Sequence, residues 1–95
     1  MLENTVEKLL VKRVKQLGGK AYKFSSPSNK AIPDRLCCLP RGRIIFVECK
    51  APGKTPTPLQ WKVIRFLQGL GFEVLVIDTL VKVEIFYEIL KEDLK

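Results

Sequence analysis

The sequence contains no histidine and only three cysteines among its 95 residues. Cys37 and Cys38 are adjacent and Cys49 lies in a separate apolar run, so the cysteines lack the spacing of zinc ligands. An odd number of cysteines also argues against a disulfide framework. We therefore expect buried, free thiols.

Long hydrophobic runs are missing as well. No stretch approaches the roughly 18–20 apolar residues that a membrane-spanning helix requires. The N-terminal residues include Glu3 and Glu7, where a signal peptide would be basic and then apolar, so we expect an intracellular protein. The length predicts a single domain over residues 1–95, and a domain this small is often marginally stable alone, which favours a homodimer.

Basic charge is present in excess, but only in one part of the chain. The net charge is +7, and residues 1–54 carry twelve Lys or Arg against four acids. A basic surface attracts the phosphate backbone of nucleic acids. Nucleic acid is therefore a candidate partner, and a soluble basic protein without such a partner is the alternative.

The hydrophobic pattern predicts seven elements in the order α-β-β-β-α-β-α. Helices are predicted at residues 3–17, from Thr57 to Gly71 and from Thr79 to about Leu94, and strands at 20–25, 35–39, 43–49 and 73–77. A short turn at residues 40–42 makes an antiparallel hairpin, and a strand–helix–strand unit implies a right-handed parallel crossover. The predicted fold is an α/β sandwich, a mixed sheet flanked by helices on both faces.

The apolar face of the second helix is predicted from residues at helical spacing. These residues are Leu59, Val63, Phe66, Leu67 and Leu70. Trp61 falls off that face, which favours a contact in a dimer or stacking on DNA. The last strand, residues 73–77, is continuous and β-branched, as in a strand covered on both sides.

Three reactive side chains lie at the ends of the hairpin strands. Side chains alternate along a strand, so Glu48 and Lys50 project from one face, together with Ile44 and Phe46. A carboxylate and an ammonium on a face covered by a helix are costly without a partner or a task. Asp34 directly precedes the other strand, so the hairpin brings it near Glu48 and Lys50.

Two carboxylates that converge at a strand end suit Mg²⁺ or Mn²⁺. Such an ion could activate a bound water and neutralise charge on a scissile phosphate, with Lys50 orienting the water or stabilising the developing charge. These parts are those of metal-assisted phosphodiester hydrolysis. The alternative is a plain salt bridge between an acid and Lys50 at the edge of the sheet.

Three segments carry a resemblance to a known family. The segments IPDRL at 32–36, FVECKAPGK at 46–54 and PLQ at 58–60 resemble the VRR-NUC nucleases of the PD-(D/E)XK superfamily. The similarity extends from Glu3 to about Thr79. It implies a restriction-endonuclease-like core and a Mg²⁺- or Mn²⁺-dependent endonuclease without a nucleotide cofactor.

The resemblance also implies roles for individual residues. Asp34 and Glu48 match the metal-binding acids, the Cys49 carbonyl would complete the metal shell, and Lys50 matches the catalytic lysine. Gln60 matches the family's glutamine on the second helix.

The family also uses a glutamate on the first helix. Glu3 and Glu7 are one turn apart and both flank the apolar stripe. We prefer Glu7, because it lies nearer the middle of the helix.

Five cations are candidates for phosphate contacts, because they lie on loops or strand ends that we expect near the site. They are Arg35, Lys54, Lys30, Arg41 and Arg43. A solvated surface is the alternative for each of them.

Stand-alone members of the family, of phage or bacterial type, imply a homodimer that cuts four-way (Holliday) DNA junctions in the cytoplasm of a bacterium or a phage-infected cell. The alternatives are a monomer acting on flaps or other branched DNA and a non-catalytic DNA-binding module on the same fold. A basic structural protein is a further alternative, which leaves the grouped acids unexplained.

Overall fold

Four strands form one sheet in the order β1-β2-β3-β4, and helices pack on both of its faces. The computed structural model describes residues 2–95. The elements are α1 (Glu3–Gln16), β1 (Lys20–Lys23), β2 (Arg35–Leu39), β3 (Arg43–Cys49), α2 (Pro58–Gly69), β4 (Glu73–Ile77) and α3 (Leu80–Asp93). This order confirms the predicted α/β class, although β1 ends two residues earlier than predicted.

The pairing of the strands makes the sheet mixed. β1 pairs with β2, and β2 with β3, in antiparallel register, whereas β3 and β4 are parallel. A turn of 3₁₀ helix at Pro40–Gly42 joins β2 to β3, and α2 supplies the crossover to β4. The predicted hairpin is confirmed, and so is the parallel pairing of the strands that the crossover joins.

The larger core lies between the sheet and the two helices α1 and α3. Along α1, Val6, Leu10 and Val14 are buried at helical spacing. They pack with Val47 of β3 and Phe86 of α3. All three cysteines are free, and Cys37 and Cys49 are buried in this core while Cys38 is half-buried.

A close approach of two backbones fixes how α1 leads into β1. A Cβ atom at Gly19 would lie 2.2 Å from the carbonyl oxygen of Cys38, which is closer than real Cβ atoms come to any atom. The preceding Gly18 has φ +89°, a conformation that favours glycine. The two glycines therefore let β1 start directly against β2.

The prediction for the apolar face of α2 is wrong. The residues that pack on the sheet are Trp61, Ile64 and Leu67, whereas the predicted face is largely in solvent. Phe66 is 64% exposed and Leu70 is 61% exposed. The helix is apolar over most of its circumference, so its hydrophobic spacing did not single out the side that faces the sheet.

The fourth strand is an edge strand and is covered less than predicted. Val74 and Ile77 are buried, but Leu75 is 40% exposed beside α3. Among the described residues, no helix is long and apolar enough to cross a membrane.

Candidate active site

Asp34 lies directly before β2, at the edge of the sheet where β3 ends. The register pairs Arg35 with Val47, which brings position 34 beside position 48. The side chain of Asp34 accepts a hydrogen bond from the backbone N–H of Cys49 at 3.0 Å. The backbone carbonyl of Asp34 accepts another from Phe24 N–H at 2.8 Å. Asp34 is thus held by both neighbouring strands.

Glu48 is buried at the end of β3, and only one of its two carboxylate oxygens has a polar partner. Its residue exposure is 4%, and its Oε2 lies 3.5 Å from the Nζ of Lys50. Among the described residues, no group donates a hydrogen bond to its buried Oε1. A buried carboxylate oxygen without a partner is costly, and a cation is the partner that removes this cost. The site therefore fits a bound metal ion.

Burial raises the pKa of both carboxyl groups. Desolvation, with the nearby charge of Asp34, raises the pKa of Glu48 to about 7 despite the opposing effect of Lys50. Desolvation and the charge of Glu7 raise the pKa of Asp34 to about 6, while the hydrogen bond from Cys49 opposes this. The charge of Asp34 therefore acts on Glu48, but among the described residues Glu48 is not in the group whose ligand atoms lie close enough together to share an ion.

A third acid approaches Asp34 from α1. A carboxylate oxygen of Glu7, one of Asp34 and the Sγ of Cys49 lie within 4.8 Å of one another. Glu7 is 9% exposed, whereas Glu3 is exposed. Of the two glutamates considered for α1, Glu7 is therefore the one beside Asp34.

The donor set favours a hard cation. Carboxylate oxygens are the preferred ligands of Mg²⁺ and Mn²⁺. Burial raises the pKa of the Cys49 thiol above its ordinary value, so the sulfur keeps its proton at neutral pH and is a poor ligand. The role predicted for the Cys49 carbonyl stays a prediction.

The comparisons with known proteins agree with this geometry. No family model matches the chain. A protein named "Putative nuclease p44", from Acyrthosiphon pisum secondary endosymbiont phage 1, is 53% identical over 77 residues, which cover 81% of this chain and 83% of that protein. A solved structure described as "VRR_NUC domain" superimposes with a TM-score of 0.85 at 33% identity and covers 90% of this chain and 94% of that one. The chain belongs to the VRR-NUC family.

In this VRR-NUC chain, Gln60 helps to cap the N-terminus of α2. The Oε1 of Gln60 accepts from Thr57 N–H at 2.9 Å, and Gln60 N–H donates to Thr57 Oγ1 at 3.2 Å. This is a capping box, which the sequence TPLQ at 57–60 could have predicted. The Gln60 carbonyl is thus engaged in the cap, and the predicted catalytic role of Gln60 stays a prediction.

Two of the predicted phosphate contacts lie at the wrong end of the VRR-NUC sheet. Arg41 is in the hairpin turn, and Arg43 pairs with Leu39 at the start of β3. Arg43 lies six residue steps along the strand from Cys49, a distance of about 20 Å. Arg43 is moreover bound to Glu73 at 2.9 Å. The expectation that these arginines lie near the site is therefore wrong.

The other three candidates for phosphate contacts, Arg35, Lys30 and Lys54, lie at the same end of the sheet as Asp34 or on the loops next to it. Arg35 is half-buried, with its Nε 3.0 Å from Glu7 Oε1 and its guanidinium 3.2 Å from the carbonyl of Ala21. It therefore offsets the charge of Glu7 inside the protein. Lys30 and Lys54 are exposed on the loops that precede Asp34 and follow β3. Phosphate binding by these three residues stays a prediction.

Proposed function

We propose that this protein is a metal-dependent, structure-selective DNA endonuclease that hydrolyses phosphodiester bonds and, as a homodimer, resolves four-way (Holliday) junctions. The observation that carries the proposal is the buried Oε1 of Glu48, which has no partner among residues 2–95 and lies at the strand end beside Asp34. Membership of the VRR-NUC family supports the nuclease class, and branched DNA is the proposed partner.

The side chains of Asp34, Glu48 and Glu7 would hold Mg²⁺ or Mn²⁺. When bound, the ion supplies an activated water and offsets charge on the scissile phosphate. Glu48 keeps the Nζ of Lys50 at the site through the contact of 3.5 Å. Lys50 donates a hydrogen bond to the phosphate oxygen on which negative charge develops as the bond to the leaving oxygen breaks. Arg35 holds the carboxylate of Glu7 in place through its 3.0 Å contact.

A cleavage assay tests this assignment. Four-way junctions, flaps, splayed arms and linear duplex are each offered with Mg²⁺ to the wild type, to Asp34→Asn and to Glu88→Gln. Glu88 is exposed on α3, which makes it a matched control for the loss of one carboxylate. We expect wild type and control to cut junctions with paired nicks and Asp34→Asn to bind without cutting. Normal cleavage by Asp34→Asn would reject the site, and preferential cutting of flaps would indicate a branched-DNA nuclease of another kind.

An unpartnered apolar surface supports the homodimer. On one face of the sheet two helices, α1 and α3, cover the strands, whereas only α2 covers the other face. The outer side of α2 exposes Leu59, Phe66 and Leu70 by about 60% each. On the same side of the sheet, Phe72 packs edge-on against Phe46 but is itself 44% exposed. Exposed apolar side chains grouped on one side of a small monomer are typical of an interface.

Light scattering tests this surface. Phe66→Glu is expected to give a monomer, because a buried carboxylate at the centre of the interface would be unpaired. Ile85→Glu changes an apolar residue of α3 that is 53% exposed, and it serves as the matched control. A dimer that persists in Phe66→Glu but dissociates in Ile85→Glu would move the interface to α3. A monomeric wild type that still nicks junctions would reject the dimer.

A further inference from the structure

The outer face of α1 carries a row of lysines that has no part in the site described above. Lys8, Lys12 and Lys15 recur at intervals of four and three residues, which places them on one side of the helix. All three are exposed, and the buried side of α1 lies opposite them. We call these three residues the α1 lysine stripe.

Among the described residues, the stripe lysines form no direct ion pair, which they share with other exposed cations such as Lys62 and Lys91. Arg13, Arg35 and Arg43 each contact a carboxylate, as do Lys50, Lys82 and Lys95. Within the described part of the chain, no lysine of the stripe has a carboxylate oxygen within 4.0 Å of its Nζ. Glu7 is buried against Arg35, and Glu84 of α3 contacts Arg13, although the charge of Lys12 also helps to lower the Glu84 pKa after that of Arg13. The stripe is thus a band of positive charge without a direct ion pair.

The stripe leads away from the candidate active site. Lys8 follows Glu7, whose carboxylate lies beside Asp34, and Lys15 is about 10 Å further along the helix axis. Lys20 and Lys23 lie on the neighbouring strand β1, but their side chains project to opposite faces of the sheet, and Lys20 lies over the ring of Tyr22 at 4.9 Å. They therefore do not form a second row. The α1 lysine stripe alone starts near the site and runs away from it.

Lysines on an edge strand also discourage pairing with a second sheet, which is a sufficient reason for Lys20 and Lys23. That reason does not extend to the outer face of a helix. A span of about 10 Å along the axis of duplex DNA covers about three base-pair steps, because each strand carries one charge per roughly 3.4 Å of axis. The charge and the length of the stripe therefore fit a duplex backbone.

We propose that the α1 lysine stripe holds the duplex arm of the substrate that leads away from the cleaved bond. This inference rests on the proposed function, because it assigns the surface along which that nuclease holds its DNA. The contacts are to phosphates, so they position the arm without reading its sequence.

The test compares two triple variants in the Asp34→Asn background. One variant changes the three stripe lysines to Gln, and the control changes Lys62, Lys82 and Lys91, which are exposed on α2 and α3. Binding of a labelled four-way junction is measured from 50 to 300 mM salt. Each lost phosphate contact lowers the salt slope by about 0.9, so the stripe variant should lose about three. At about 0.15 M salt its affinity should fall on the order of 100-fold, while the control changes by only a few-fold.

Two further measurements keep the outcomes distinct. Changing the three stripe lysines to Arg retains the charge and should restore the slope, which separates binding from any loss of folding. Removing the duplex arm beyond the cleaved bond should remove the difference between wild type and the Gln variant, because no DNA backbone then lies along the stripe. Equal slopes for the stripe variant and the control would overturn the inference while cleavage by the wild type still upheld the proposed function. A wild type that neither binds nor cuts any DNA would overturn both.

Discussion

Replacing Glu48 with Gln is expected to stabilise the metal-free protein while abolishing cleavage. The pKa of Glu48 is raised from 4.5 to about 7 by burial and by Asp34. Below pH 4.5 the folded and unfolded states both hold the proton. Between pH 4.5 and 7 the folded state keeps a proton that the unfolded state has lost, so rising pH favours unfolding. Above pH 7 the folded protein carries the full penalty of a buried charge.

The size of this penalty follows from the difference between the two pKa values. A difference of about 2.5 corresponds to about 3 kcal/mol of unfolding free energy. Glu48 is 4% exposed, so screening by solvent removes little of it. The attraction to Lys50 is already included, because it opposes the rise in pKa. A Gln side chain keeps the shape of Glu48 without the charge and removes most of the penalty at pH 8.5.

Urea unfolding at pH 5 and pH 8.5 without divalent ions measures the effect. We expect Glu48→Gln to exceed the wild type by about 3 kcal/mol at pH 8.5 but by only about 1 kcal/mol at pH 5. Added Mg²⁺ should stabilise the wild type at pH 8.5 but not the variant, because a ligand stabilises only a state that binds it. The exposed Glu88→Gln serves as the control. A variant that is less stable than the wild type at pH 8.5 would refute the reasoning.

Other consequences follow from the same geometry. The single-turnover cleavage rate at limiting Mg²⁺ should rise between about pH 6 and pH 7, as Asp34 and Glu48 lose their protons, and a flat rate profile would contradict this. Excess chelator should abolish cleavage and added Mn²⁺ restore it, whereas undiminished activity in chelator would exclude the metal. Gly19→Ala should lower the unfolding free energy in urea by about 1–3 kcal/mol through its clash with Cys38, whereas Gly69→Ala meets no atom within 4 Å and should raise it by about 0.5–1 kcal/mol.

The order of the elements and the pairing of the hairpin could be predicted because each depends on local sequence. The spacing of Val6, Leu10 and Val14 identifies a helix, and Pro40–Gly42 is short enough to join only antiparallel neighbours. The proximity of Asp34 to the end of β3 then follows from the antiparallel pairing of the hairpin. The centre of the candidate site could therefore also be predicted from the sequence.

Features that depend on distant packing could not be predicted in the same way. The pair between Arg35 and Glu7 joins residues 28 positions apart, and no local pattern indicates it. The orientation of α2 depends on which of two apolar sides the sheet accepts, and Ile64 rather than Phe66 fits against Phe46. The length of β3 alone places Arg43 at the opposite end of the strand from Cys49 and the candidate site. Its distance from the site is therefore predictable, although the two residues are close in sequence.

The charges of the site explain why the fold tolerates three acids together. Above about pH 7, Glu7, Asp34 and Glu48 contribute three negative charges, while Arg35 and Lys50 contribute two positive ones. The charge of Glu3 also acts on Asp34 and Glu48, so the metal-free site is net negative and would repel a scissile phosphate. A divalent ion held there would offset this repulsion, while DNA contacts elsewhere on the surface would not depend on it. The same ion would also offset the unfavourable burial of the Glu48 charge, which links the stability of the fold to its proposed chemistry.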